Sequence, residues 1–518
     1  MTIKKVLFST IFLSTIIGSA KAQYLADSYN FSQADNGATA RFKGLGNAQT
    51  ALGGDISSIS GNPAGLGFFN RSDAAVTMNY LHNNNSGKYY DKITDTKKGK
   101  FGLENAGVVF NFPAVGQNAN RGWLNFNVGI AYNKTNDYRN DLNYEGNNTG
   151  STIADAMTDI AYNNPNFDIS KDYIGSKLIA PVPTIGTGAR QDFFNVASDF
   201  NNYQANQIIE RGDRSETAVS FGTNYSNKLY LGLSLGLSTF RYETVAQFTE
   251  NGFTKTAQDI AKSYPTSNFT DPQNENYDYT DAVYDYASYY SQLTEGSGVD
   301  VKLGLIYKPD PTWNIGFTFK TPTWYTVRDN AVEDFAVSYR NDENTNTSFA
   351  NFKSGVYEYS TDYNLRTPYR VAVGLTKFFG AGLLTADAEF VDYSATKFSM
   401  PGYASDATEV AMNESIKSTY KSVLNVKVGG EYLFSNTFSG RLGFNYNGNP
   451  YKEADYKNLA GTAGLGLKFA NGAYVDLAVV HNAISYNHSP YSSELITVAP
   501  AAIKLQRTNA VLTIGTKF

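Results

Sequence analysis

Four cations lie on the polar face of segments whose other face is apolar: Lys302, Arg370, Lys427 and Arg441. A guanidinium or ammonium held away from bulk water binds a carboxylate through charge-assisted hydrogen bonds, bidentately in the arginine case. Two chemistries fit. The cations meet the carboxylate of an acidic ligand, with Arg370 and Arg441 the first choices, or they pair with the neighbouring acids Asp387, Glu389 and Glu431 and fasten internal structure. Nothing beside them resembles a catalytic set. His82, His481 and His488 have neither metal-ligand spacing nor a nucleophile–base partner. Asp271, Glu275, Asp278 and Asp281 form an acidic stretch without the EF-hand glycine or spacing. The chain has no Cys, which removes disulfides, thiolate metal sites and cysteine nucleophiles together. No enzyme activity, cofactor or metal is expected.

The elements that carry these cations alternate with period 2. Leu229, Leu231, Leu233, Leu235 and Leu237 share one face, and Tyr230, Gly232, Ser234, Gly236 and Ser238 the other. Val299, Val301, Leu303, Leu305 and Tyr307 alternate with Asp300, Lys302, Gly304 and Ile306 in the same way. Successive strand side chains point to opposite faces, so each segment has an apolar wall and a polar wall. Val371, Val373, Val426, Val428 and Leu442 place Arg370, Lys427 and Arg441 on the polar wall.

Such strands are expected near 73–83, 104–113, 122–134, 215–226, 228–243, 297–308, 312–328, 354–379, 382–395, 420–434, 437–447, 460–469, 472–484 and 506–518. They number about fourteen, an even count as bacterial barrels require. The segment 354–379 is too long for one span and contains Pro368, which cannot donate to a ladder, so a bend is expected there. Short turns such as 226–228, 379–382 and 471–472 alternate with long polar connections at 135–214, 244–296, 395–419, 448–459 and 485–505. An up-and-down membrane barrel puts tight turns at one end and long loops at the other. The polar wall then faces a lumen, and a lysine or arginine turned instead to mid-bilayer would cost ~2–4 kcal/mol. Within the loops, Ile153, Ala156, Met157 and Ile160, and again Val283, Ala287 and Tyr290, fall at helical spacing.

Composition agrees. Aromatics make up 14% of the 518 residues, with 38 Tyr and 33 Phe, while charged residues reach only 18%. The net charge of -5 gives no basic footprint for nucleic acid. Lys4 and Lys5, the apolar run Val6 to Gly18, and Ala20-Lys21-Ala22 read as a secretory signal peptide over 1–22. No later run approaches the ~20 apolar residues of a spanning helix. The expectation is a Gram-negative-type outer-membrane protein, all-β and multi-pass, whose barrel occupies 73–518.

Residues 23–72 break the alternation. Ala51-Leu52-Gly53-Gly54-Asp55 precedes Asn62-Pro63-Ala64-Gly65-Leu66, a run of small residues with a turn-forming Asn-Pro. A compact segment of this size ahead of the first strand suits the lumen of the barrel, and a flexible lead-in arm is the alternative that Gly richness leaves open. The Gly-rich run with its Asn-Pro-Ala motif resembles the hatch of the FadL family, outer-membrane transporters of long-chain fatty acids and aromatic hydrocarbons. Lys302 to Tyr307 leading into Gly316-Phe317-Thr318-Phe319-Lys320 is similar to that family too, as are Phe390 to Ser394 and Gly440 to Tyr446. The resemblance implies a monomeric barrel embedded in outer-membrane lipid, with Asn62, Pro63, Ala64 and Gly65 in the hatch. It implies a hydrophobic, fatty-acid-like ligand caught by external loops, and release through a lateral gap at a kinked strand. The alternative it leaves open is a related barrel serving haem capture or protein secretion.

Overall fold

The computed structural model describes residues 25–33, 37–114, 121–183, 191–198, 201–340, 349, 351–400, 407–493 and 496–518, so the leader read at 1–22 lies outside the described residues. The period-2 segments pair with their chain neighbours as antiparallel strands. They are β1 (Asp73–Tyr89), β2 (Lys92–Pro113), β3 (Trp123–Asp137), β4 (Asn140–Asn148), β5 (Asn202–Tyr225), β6 (Leu229–Phe253), β7 (Val283–Asp310), β8 (Trp313–Lys320) and β9 (Trp324–Arg340). After them come β10 (Tyr357–Arg366), β11 (Arg370–Phe379), β12 (Gly382–Asp392), β13 (Lys397–Ser399), β14 (Ser422–Leu433), β15 (Phe438–Asn447), β16 (Lys457–Lys468), β17 (Ala473–His488) and β18 (Ala501–Lys517). In four places two of these are consecutive parts of one interrupted stave, namely β3/β4, β8/β9, β10/β11 and β12/β13. The described wall therefore has fourteen staves. The last closes on the first, from Asp73↔Lys517 to Lys88↔Ala502.

Closure removes the sheet edges and leaves two faces with opposite character. Outside, Leu233, Leu235, Leu237, Leu303, Phe317, Val373, Leu442, Leu465, Leu477 and Ile514 stand 41–70% exposed. An exposed apolar surface running round a closed barrel is costly in water and is the surface lipid requires. No helix among the described residues is long and apolar enough to cross a membrane. The strands themselves are the spanning elements.

The bend expected at Pro368 is present, since β10 ends at Arg366 and β11 begins at Arg370. The neighbouring stave, read as continuous over 312–328, is also interrupted, at Thr321-Pro322-Thr323. Thr321 and Thr367 patch the two breaks through backbone bonds to Val301 (2.9 Å) and Thr323 (3.0 Å). Much of what reads as loop is wall. β5, β6 and β7 run far beyond the apolar belt with alternation intact, because inward Tyr242, Ala246 and Phe248 still find a core to bury against. The helix expected from Ile153, Ala156, Met157 and Ile160 forms as Ile153–Asn163, closed by a Thr152/Asp155 capping box. The second one does not. Val283, Ala287 and Tyr290 belong to β7, where pairing with β6 and β9 overrides a spacing that a strand also tolerates.

Candidate functional site

Inside the barrel the lumen is filled by residues 37–69. Asn62 caps a short 3-10 helix, Pro63–Phe68, by accepting the N–H of Ala64 at 3.1 Å. Its amide nitrogen donates to the Thr50 carbonyl (2.5 Å) and on to the Leu305 carbonyl of the wall (3.4 Å). Pro63 occupies the first helical position, where a missing N–H costs nothing. Ala64 is fully buried against Tyr230 and Ile306, and the Gly65 carbonyl accepts the N–H of Gly54 at 3.0 Å. The four motif residues thus lie together against β5, β6 and β7.

The wall meets this segment with glycine. Cβ atoms built on Gly232, Gly304, Gly316, Gly429 and Gly443 would fall well inside 3.0 Å of Pro63, Asn62, Thr50, Leu45 and Gly46 in turn. Such an approach is open only to a residue without a side chain. The glycines come from staves on both sides of the barrel and make a collar around the inner segment.

Polar contacts complete the seat. Asp387 on β12 accepts the N–H groups of Gln49 and Thr50, each at 2.8 Å. Arg41 reaches Glu431 of β14 at 3.1 Å. Glu431 also receives Arg441 at 2.6 Å, and Arg441 binds Asp476 at 2.5 Å, its own side chain only 1% exposed. Lys302 donates to the Ser60 carbonyl. Arg370 donates to the Ser32 carbonyl (2.7 Å) and pairs with Glu389 (3.2 Å). Lys427 is buried on β14 directly opposite Asp387. The four cations singled out from sequence are therefore spread round the lumen: Lys302 and Arg441 are engaged by the segment or by its carboxylate partner Glu431, and Arg370 holds the Ser32 carbonyl ahead of it. Lys320, bridging Glu216 (2.9 Å) and Asp300 (3.0 Å), belongs to the same network, and its place on the polar face of β8 was the available signal.

Above the segment, toward the end bearing the long excursions, the lumen is aromatic. Phe31 stacks on Phe240 (4.2 Å between centroids), beside Tyr242, Tyr138 and Tyr325. Higher still, a cleft runs between helix Asp168–Gly175 and the wall, lined by Ile169, Tyr173, Phe248, Tyr286 and Phe335. Glu333 at its side accepts a hydrogen bond from Tyr359 at 2.7 Å. Nearby, burial pushes His488 down to about 4, and its Nδ1 lies 2.8 Å from the Tyr144 hydroxyl.

The wall itself forks. β2 and β3 are laddered from Pro113↔Asn125 up to Asn105↔Asn133 and no further. Beyond that point the chain turns inward as β4, and residues 92–103 of β2 keep backbone pairing only with β1 among the described residues. Side chains alone join β2 to β4: Lys92 to Glu145 (2.5 Å), Asn143 to Thr96 (3.2 Å) and Lys98 to Asp141 (3.9 Å). Outward Phe101 (76% exposed) and Leu103 (43%) flank the fork, which sets it at the level of lipid. Gly37 packs against Asn133 at its base, and Lys43 pairs with Glu104 at 3.2 Å. The loss of alternation after Asn133, in Lys134-Thr135-Asn136, was the only trace of this in the sequence.

Many solved chains share this fold, and two of them represent it. One is the P. putida toluene transporter TodX, with 13% identity, a TM-score of 0.52, and coverage of 93% of this chain and 99% of that one. The other is a Pseudomonas aeruginosa FadL homologue, with 12% identity, a TM-score of 0.52, and coverage of 93% and 98%. No family model and no curated protein matches the sequence. The fold is that of FadL-type barrels, as the Asn-Pro-Ala resemblance implied, and the chain is a multi-pass outer-membrane protein.

Proposed function

We propose that the protein carries hydrophobic small molecules across the outer membrane, with residues 37–69 as a hatch that blocks the straight path and the β2/β3 fork as the way out. The observation that carries this reading is the pairing of a closed floor with a wall seam that side chains alone hold shut. A ligand entering the aromatic lumen meets a segment seated on glycines and fastened by Asp387, Glu431 and Lys302. Forcing that floor out would break several buried polar contacts, each costing ~1–3 kcal/mol when one partner is left unsatisfied. The fork has no backbone ladder to break. A modest shift of Gly37 and Lys43 alters its base and joins hatch to exit.

Long-chain fatty acids are the ligand class we favour, with the protein acting as a monomer. Arg370, 11% exposed beside the aromatic ring cluster, is the cation best placed for a carboxylate, whereas Arg441 is already held by two acids. Aromatic hydrocarbons are the second reading, since TodX is named a toluene transporter and the lumen carries the aromatic cluster of Phe31, Phe240, Tyr242 and Tyr325. Mass spectrometry of molecules retained by detergent-purified protein separates them. Fatty acids lost on Arg370→Gln support the first, neutral aromatics retained by both proteins support the second, and an empty lumen contradicts transport of either.

A further inference from the structure

On the outer face, two cations oppose each other directly across a strand pair. Arg366 of β10 is the register partner of Lys397 of β13, and both side chains are exposed. Trp324 of β9, 50% exposed, is the partner of Arg366 on the other side. Like charges placed opposite one another on a sheet destabilise it unless something neutralises them. Among the described residues no carboxylate lies within 4.0 Å of either cation. Two acids higher on this face are held by other cations: Asp362 by Arg328 at 3.1 Å, Glu295 by Arg241 at 2.6 Å.

The pair sits where the lipid belt ends. Tyr369 and Phe390, the last apolar outward residues below it, are 38% and 39% exposed, with centroids 6.5 Å apart. The row above is polar, formed by Ser297, Thr326, Asn364 and Ser399. An aromatic shelf for acyl chains, an indole at the side and two cations at headgroup height fit a single occupant. We propose that Arg366 and Lys397 dock a phosphorylated lipid headgroup of the outer leaflet, its phosphate bridging the two cations and its chains lying on Tyr369, Phe390 and Trp324. This rests on the outer-membrane placement of the barrel and is independent of what the lumen carries.

The test uses the full-length protein in nanodiscs and native mass spectrometry of retained lipid. The probes are bis-phosphorylated lipid A and the same lipid with its phosphates removed. Wild type is expected to retain the phosphorylated form about tenfold better, two cations near a membrane surface each contributing to the preference. Arg366→Gln with Lys397→Gln should bring the ratio to about one, while Arg366→Lys, which keeps the charge, retains most of it. No preference in wild type overturns the proposal, whatever the variants do and even if the double variant fails to fold. Binding of inorganic phosphate at the two cations without preferential retention of the phosphorylated lipid overturns it too, because that marks a free-anion site.

Discussion

Gly232 on the inner wall faces Pro63 so closely that a Cβ built on it would fall well inside 3.0 Å of the proline's carbonyl carbon. A side chain there must push the Pro63–Phe68 helix out of its seat. Overpacking of this kind costs typically ~1–3 kcal/mol, and the inner segment, not the laddered wall, is the part able to yield. Gly232→Val is expected to assemble as a heat-modifiable barrel with raised single-channel conductance in planar bilayers. A folded variant with unchanged conductance would show that the segment does not close the lumen.

Arg441 links Glu431 to Asp476 in a site with almost no solvent. Removing the cation leaves Asp476 without its arginine and Glu431 with Arg41 alone. Breaking a buried pair by deleting one partner costs about 3–5 kcal/mol. Arg441→Met should lower the guanidinium unfolding midpoint in detergent accordingly, while Arg328→Met, which breaks an exposed outer-face pair, should cost at most about 1 kcal/mol. Equal losses would contradict the view that the lumen network holds the hatch.

Glu250 lies on the part of β6 beyond the membrane belt and receives hydrogen bonds from Tyr284 (2.6 Å) and the N–H of Ile153 (3.1 Å), and from Gln204. Burial pushes its carboxyl up to about 7 against those hydrogen bonds. A raised folded-state value means the contribution of Glu250 is full below its unfolded value of about 4.3 and is lost as pH rises through about 7. The helix Ile153–Asn163, whose first N–H it accepts, should lose hydrogen-exchange protection between about pH 4 and pH 7 after correction for intrinsic rates. Glu250→Gln should flatten that change. A wild-type profile that is already flat would rule out this coupling.

The wall was legible because period 2 is a strong signal wherever one face is greasy. Each of the fourteen staves matches a segment such as Leu229–Leu237 or Val299–Tyr307, and Pro368 marked its bend. What escaped were features set by partners distant in sequence. Pro322 bends a stave because Thr321 and Thr323 find substitute partners in Val301 and Thr367, which spacing alone does not reveal. The upper half of β7 looked helical through Val283, Ala287 and Tyr290, yet β6 and β9 pair it as strand. The cations could be assigned to the lumen from alternation. That Arg41, Gln49 and Thr50 would be what Glu431 and Asp387 hold depends on the path of the inner segment.

In the proposed route cargo leaves through the side of the barrel at the fork, and the native chain, having no Cys, allows a clean test. Thr96→Cys with Asn143→Cys places a thiol on each side of the seam that side chains alone now close, where Asn143 meets Thr96 at 3.2 Å. Influx of a fluorescent fatty acid into proteoliposomes should fall to the protein-free background when the pair is oxidised and return on reduction, with each single variant behaving as wild type. Undiminished influx through the oxidised, cross-linked protein would contradict the lateral route and return the cargo to a path through the floor.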